Sequence, residues 1–536
     1  MTLDASPSMT TLLLNGAVYS PSHPDATAMA VRDGTVVWLG SDHVGRQQYA
    51  DADITDLDGA FVAPAFVDSH VHLTATGLGI TGLDLTAATG LQHCLQLLGE
   101  HIAAYPGRPV WGHGWDDTTW PQPPSTADID AIAGALPVYL ARVDVHSAVA
   151  SGALQQRVSG LAAADGFDPQ LPLTADAHHL VRAQARLLLT VAQRDEARRA
   201  ALDHAAAAGI VAVHECAGPD IAGAQDWAEL RALDHGVEVV GYWGEAVSTA
   251  AQARALVEAT GARGLAGDLF VDGALGSRTA WLCQPYADAP QSTGTAYLDA
   301  AAVAEHLGAC TEAGVTAGFH VIGDAAVTAV VEGLEATVRR FGAPAVARCG
   351  HRLEHLEMVS PEQAAKLGAW GITASVQPGF DALWGGADGM YARRLGPDRA
   401  ARLNPLALLA SAGVRLALGS DAPVTSMDPW EWVRAASHHR TPGSAISARA
   451  AFTAATRGAW RAGGVRDGVT GTLVPGAPAS YAVWDTGERE VTAPADEVAR
   501  WSIDPRSRVP SLPRLNPDAA LPRCRQSVHR GVVLHG

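Results

Sequence analysis

Lysine is almost missing from this chain of 536 residues: Lys366 is the only one among 38 lysines and arginines. Chemistry that needs a lysine amine has that one candidate, and it lies in a helical stretch starting at Ser360-Pro361-Glu362. Long apolar runs are missing too. No stretch of about 18 uninterrupted apolar residues occurs, which argues against a membrane-spanning helix. Residues 1–16 lack a basic region followed by a long apolar segment, so no signal peptide is expected. The six cysteines (Cys94, Cys216, Cys283, Cys310, Cys349 and Cys524) have no paired spacing. They read as buried free thiols in a reducing cytoplasm rather than as a disulfide framework. Positive charge is not in excess. A formal net charge of −18 disfavours nucleic acid and anionic membranes as partners. Short-period repeats and low-complexity linkers are also absent.

What is present suits a packed enzyme. Hydrophobic residues make up 48% and charged residues 18%. The length exceeds one ordinary core, so two domains, or a large barrel with a smaller unit, are expected. Short alternating strand patterns with Asn-Gly and Asp-Gly steps fill residues 11–56. The same texture returns around 471–476, 481–485 and 528–535. The two ends, 1–60 and 466–536, are therefore expected to form one small β domain. Between them, over 61–465, apolar strand-like runs alternate with helical runs. Strands are expected at 61–67, 138–143, 210–214, 268–271, 315–320, 352–355, 372–376 and 416–420. Helices are expected at 192–208, 300–313, 324–341 and 361–368. Such alternation predicts a parallel α/β architecture, and the number of units suits a (β/α)₈ barrel.

The most informative residues are His70 and His72. They follow an apolar run that ends like a buried strand. Alternate strand residues share a face, so the two imidazoles project together. Polar residues recur at later strand ends: His320, His355 and Asp421. Singly, each has an ordinary explanation, such as a core histidine, an ion pair or a helix cap. Jointly, four histidines and an aspartate at the catalytic edge of one barrel supply the nitrogen and oxygen ligands of Zn²⁺ and related metals.

The motifs Val67-Asp-Ser-His-Val-His, Gly114-Trp-Asp116, Val143-Asp-Val-His146-Ser, Asp272-Gly-Ala-Leu-Gly-Ser-Arg278-Thr-Ala, His320-Val-Ile-Gly-Asp324, Glu354-His355, Ser375-Val-Gln377-Pro, Gly419-Ser-Asp421-Ala-Pro423 and Pro475-Gly-Ala-Pro-Ala occur in that order. In this the chain resembles the amidohydrolase superfamily, in particular the branch of metal-dependent hydrolases similar to N-substituted formamide deformylase. The resemblance implies a (β/α)₈ barrel with a small β-sandwich domain made from both termini. It places His70, His72, His320, His355 and Asp421 on the metal ligands, and implies a divalent metal, Zn²⁺ by preference, as one or two ions.

One position departs from the family. Its relatives commonly carry a lysine, carboxylated to bridge two metals, just before the Asp-Gly-Ala-Leu-Gly-Ser segment. Here Asp268 stands in that place, so no lysine carbamate is expected. Asp268 either bridges two ions itself, though it is several bonds shorter, or the site keeps one ion. Asp268, Phe270 and Asp272 alternate, so the two aspartates are expected on one face.

The activity implied is hydrolysis of a C–N bond, an amide or formamide, in a small and partly apolar substrate. Asp421 would act as base, and His355 would hold a second metal or stabilise the oxyanion. His146, Asp272 and Arg278 are candidates for orienting substrate. Trp115, beside Asp116 in a Gly-rich turn, is a candidate pocket wall. A one-metal deaminase or cyclic amidohydrolase acting on a heterocycle is the second reading. A catalytically silent scaffold is the third, and retention of every ligand argues against it. The expected partner is a small molecule; a homo-oligomer stays open.

Overall fold

The computed structural model describes residues 10–491 and 509–536. Its centre is a parallel eight-stranded sheet: β1 (Phe66–Val71), β2 (Ile210–Ala217), β3 (Glu238–Trp243), β4 (Gly264–Leu265), β5 (Thr316–Val321), β6 (Arg352–His355), β7 (Thr373–Val376) and β8 (Arg415–Leu418). Most of these strands are buried along their whole length, as expected of a parallel sheet covered on both faces. The cylinder closes just beyond β8. The Asp421 amide donates to the His70 carbonyl at 2.8 Å, and the His72 amide to the Ala422 carbonyl at 2.9 Å. Gly419 permits this approach, because a Cβ there would lie 2.7 Å from the His70 nitrogen.

Helices cover the barrel, and their starts are written locally. Val191–Ala207 and Pro361–Ala369 both open with capping boxes, Thr190 with Gln193 and Ser360 with Gln363. Ala300–Ala313 opens on Asp299, whose side chain accepts from the Ala302 amide.

The small domain uses both chain ends, as expected. One sheet holds Thr10–Leu14, Ala28–Arg32, Thr35–Gly40 and Asp53–Asp56; the other holds Ala17–Val18, Phe61–Pro64, Tyr481–Asp485, Arg523–His529 and Val532–His535. Asp33-Gly34 makes the two-residue hairpin turn that the Asp-Gly step forecasts, both residues having positive φ. The expected strand texture at 471–476 is instead a turn segment. Residues 492–508 lie outside the described residues.

Three strand expectations need correction. The run 61–67 is two strands: Phe61–Pro64 pairs with Tyr481–Asp485 in the small domain, and only Phe66–Val71 enters the barrel. The stretch 138–143 is not a barrel strand. It sits in a separate five-stranded sheet with Leu83–Asp84, Val110–Trp115, Ser147–Ala150 and Leu173–Thr174, inserted between β1 and β2. A short apolar strand reads the same in either sheet, so periodicity could not assign it. At 268–271 only Phe270 bridges, to His320, and the barrel position there is held by the two residues of β4. The strand β3, half-buried at its start, is an addition to the expected strands, although Val239, Val240, Tyr242 and Trp243 carry an apolar strand signal. Among the cysteines Cys283 is exposed and Cys349 half-buried rather than buried, and all six are free thiols.

Candidate metal centre

The carboxyl ends of β1, β5, β6 and β8, with the segment after β4, converge on one buried cluster. His70 and His72 leave the end of β1 on the same side, as strand alternation requires. His70 Nε2 lies 3.4 Å from Asp268 Oδ1 and 3.3 Å from Asp421 Oδ1. His72 Nε2 lies 3.1 Å from Asp268 Oδ2 and 3.4 Å from Asp421 Oδ1. His320 Nδ1 is 3.6 Å from Asp268 Oδ1. The His355 ring is 4.6 Å from that of His320 and 4.9 Å from that of His70. Asp268 thus reaches the β1 pair and His320 at once. Gly267, with φ +79°, turns the backbone immediately before it.

His355 and Asp421 sit in left-handed backbone, with φ +68° and +54°. Such conformations are uncommon for residues with a Cβ and cluster at functional sites. A regular strand would send Glu354 and His355 to opposite faces, yet both reach His70; the turn at His355 allows it.

Around the cluster a second layer fixes the rings. Glu354 Oε2 accepts from His70 Nδ1 at 2.9 Å and is itself held by Arg352, whose Nη2 lies 2.9 Å from Oε2. His355 Nδ1 faces Gln377 Oε1 at 2.8 Å. Asp68 accepts from the Ser420 amide at 2.9 Å, tying β1 to the segment after β8.

Electrostatics favour carboxylates here. Burial alone would raise the carboxyls of Asp268 and Asp421, but the adjacent imidazoles, His70 foremost, hold both below the usual range. Burial would lower His72, but Asp268 and Asp421 prevail and push it up to about 10. A cluster that wants positive charge this strongly takes it as protons or as a cation. Four buried atoms, His70 Nε2, His72 Nδ1, His320 Nδ1 and Asp268 Oδ1, have no hydrogen-bond partner among the described residues. Buried polar atoms are rarely left so. Three overlapping sets, His70 with His72 and Asp268, His70 with His355 and Asp421, and Asp268 with His320 and His355, each bring their ligand atoms within 4.8 Å. Nitrogen and oxygen donors in this number fit a divalent first-row ion. Cys216 also approaches His70 and Glu354, but burial pushes its thiol well up, which disfavours the thiolate that a metal needs.

A cavity of about 570 Å³, open mouth included, lies against this cluster. His72, Asp268 and Phe270 form its floor, and the inserted sheet supplies much of the rest. Of the candidates for orienting substrate, His146 lines it. Trp115 does not: it is fully buried in the insertion core, and its indole N–H donates to the Leu140 carbonyl. Trp111, two turns of alternation earlier on the same strand, is on the wall instead. Asp116 is occupied by Arg142, at 2.8 Å, and by capping the Asp117–Thr119 turn. Asp272 is buried and accepts from the amides of Trp281, Ile322 and Gly323, which holds the loop beside His320. Arg278 pairs with Asp288 at 2.9 Å near the surface. Residues that the sequence did not single out are Arg352, His179, Arg182 and Arg186; Glu354 and Gln377 had been noticed only as motif members.

A parallel eight-stranded barrel with four histidines and two aspartates gathered at one edge is the arrangement found in families of metal-dependent hydrolases. The comparisons agree: the model described as "Amidohydrolase family" matches residues 53–535, and the chain belongs to that family. It is similar to Protein LONG AFTER FAR-RED 3 of Arabidopsis thaliana, 27% identical over 535 residues, covering 90% of this chain and 89% of that one. It is similar to N-substituted formamide deformylase of Arthrobacter pascens, 24% identical, covering 76% and 79%. Among solved structures, an uncharacterized metal-dependent hydrolase from Pyrococcus furiosus superposes with a TM-score of 0.69 at 26% identity, covering 89% and 99%. No helix among the described residues is long and apolar enough to cross a membrane.

Proposed function

We propose that this protein hydrolyses a C–N bond, an amide or formamide, in a small and partly apolar substrate. The observation that carries the reading is the convergence of His70, His72, His320, His355, Asp268 and Asp421, with partnerless buried atoms among them. These six would hold one or two divalent cations, Zn²⁺ by preference. A cation there supplies Lewis acidity, bringing the pKa of water toward about 7 and polarising a carbonyl oxygen.

The chain's own groups do the rest. Asp421, held ionised, accepts the proton of the attacking water and passes it to the leaving nitrogen. Glu354 accepts a hydrogen bond from the Nδ1–H of His70, which leaves the Nε2 lone pair free for a cation. Gln377 does the same for His355, whose Nε2 is then an acceptor nitrogen. That tautomer favours His355 as a ligand over an oxyanion donor. His146, lining the cavity and kept neutral by burial and by His320, is placed to touch substrate. A cytoplasmic setting belongs to the same proposal and rests on the unpaired cysteines.

The second reading, a one-ion deaminase or cyclic amidohydrolase of a heterocycle, is favoured by the missing lysine at position 268. Metal analysis of purified protein should find about one to two equivalents per chain. Chelation should abolish hydrolysis and added Zn²⁺, Mn²⁺ or Co²⁺ restore it. A panel of amides, formamides and heterocycles, followed by amine, formate and ammonia release, separates the two readings. Full activity in metal-free protein would overturn both.

A further inference from the structure

The helix Ala175–Arg186 belongs to the insertion, not to the barrel. His179, Arg182 and Arg186 recur at three- and four-residue spacing, so they share one face. All three line the cavity that His72 and Asp268 floor. Arg182 is 7% exposed. Its Nη2 donates to the Asp220 carbonyl at 2.7 Å, while its Nε is buried with no partner among the described residues. Arg186 is half-buried beside Trp111, its guanidinium carbon 6.0 Å from the ring centroid. No carboxylate pairs with either arginine among the described residues.

Charge makes this arrangement unusual. Buried guanidiniums are normally paired. Burial and like charge outweigh the acids nearby: burial and then Arg182 pull the Arg186 guanidinium down to about 9 against Asp226 and Glu215, and burial with both arginines pulls His179 down to about 3. The nearby acids are taken: Asp226 pairs with Arg198 at 2.6 Å, and Glu215 accepts from the Leu73 amide. Among the described residues Asp268 is the one acid on the cavity wall, and it faces the histidine cluster. The wall also carries apolar surface from Trp111, Ile221 and Phe270, interspersed with His113, Tyr139 and His146.

We propose that Arg182 and Arg186 form an anion subsite, so that the substrate is an acid: an apolar or aromatic body with a carboxylate at one end and the scissile C–N bond at the other. This rests on the hydrolase reading for the scissile bond, but not for the anion. A planar fork matches a carboxylate, and such charge-assisted contacts are the strong ones.

Binding tests it without turnover. Metal-loaded protein is titrated calorimetrically with phenylacetate and with phenylacetone, its neutral isostere. The acid should bind at least tenfold more tightly. Arg182→Gln and Arg186→Gln, measured separately, should each weaken the acid by about ten- to a hundredfold, with metal content unchanged. Arg182→Lys should recover part of the loss. Equal binding of acid and ketone by the wild type would overturn the proposal, and this comparison needs no variant to fold. So would an acid affinity that survives both glutamine variants but vanishes on chelation, since the acid would then sit on the metal. A preserved, arginine-dependent preference in a protein that cleaves no amide would uphold the anion subsite and sink the hydrolase reading instead.

Discussion

Glu354 Oε2 lies 2.9 Å from His70 Nδ1, and both side chains are fully buried. The carboxylate is not free to serve as a ligand, because Arg352 holds both of its oxygens. Its effect is on the ring. A histidine whose Nδ1–H is claimed presents Nε2 as a lone pair in a fixed direction.

Glu354→Gln should keep the fold and weaken metal binding by about 10- to 100-fold, the usual loss for such a partner. Competition against a chelator of known affinity measures it. Glu354→Ala should do more: it leaves the Arg352 charge buried and unpaired, costing on the order of 3–5 kcal/mol. Denaturant unfolding would report that loss. Unchanged metal affinity in both variants would show that the Glu354–His70 contact does not orient the ligand.

Asp268 touches the β1 histidines and His320 together, so it is placed to serve two ions. Asp268→Ala should lose about one metal equivalent and most activity, given how carboxylates bridge such sites. Asp268→Asn should do nearly as much harm, since an amide bridges cations poorly. If wild type and Asp268→Ala both hold about one ion, the bridge is ruled out, and the residue's effect should fall on KM more than on kcat.

For Asp421 the competing role is a backbone one. Its carboxylate faces His70 and His72, and its amide closes the barrel. Asp421→Asn keeps the amide and the shape but removes the base. Turnover should fall by about 10²–10⁴-fold or more, with the fold kept but the metal-free protein less stable, because His72 loses one of its two carboxylates. Near-normal turnover in a folded variant would place the base elsewhere.

The two tryptophans of Val110–Trp115 should part company. Trp115→Phe removes the hydrogen bond to Leu140 and should cost about 0.5–1.5 kcal/mol of stability, with metal content and kcat/KM little changed. Trp111→Ala should raise KM, because its ring lines the cavity. The reverse pattern would mean that the cavity is not where substrate binds.

The barrel and the histidine–aspartate cluster were legible because strand alternation and strand-end position are local signals: His70 and His72 need only two residues of spacing, and Asp421 only an apolar strand before it. The insertion between β1 and β2 was not, because the stretch 138–143 reads as a buried strand whichever sheet receives it. Trp115 and Trp111 differ by four positions on one strand, and only the neighbours on each side tell core from cavity. Arg182 and Arg186 lie on an Ala-rich helix where arginine is an ordinary surface residue. Nothing local marks them; their lack of a carboxylate partner is a fact of three dimensions. The same is true of Glu354, whose role depends on a histidine 284 residues away.

The last seam of the barrel is short. β1 and the chain beyond β8 are joined by the amides of Asp421 and His72 and by Asp68 with Ser420. Both amides belong to residues whose side chains meet at the histidine cluster. A cation gripped from both sides of that seam would also act as a rivet across it. Losing the ion should let this edge breathe first, and amide exchange at His72 and Asp421 should quicken before that of any other barrel strand pair. Heat tolerance and catalytic competence would then share one fastening.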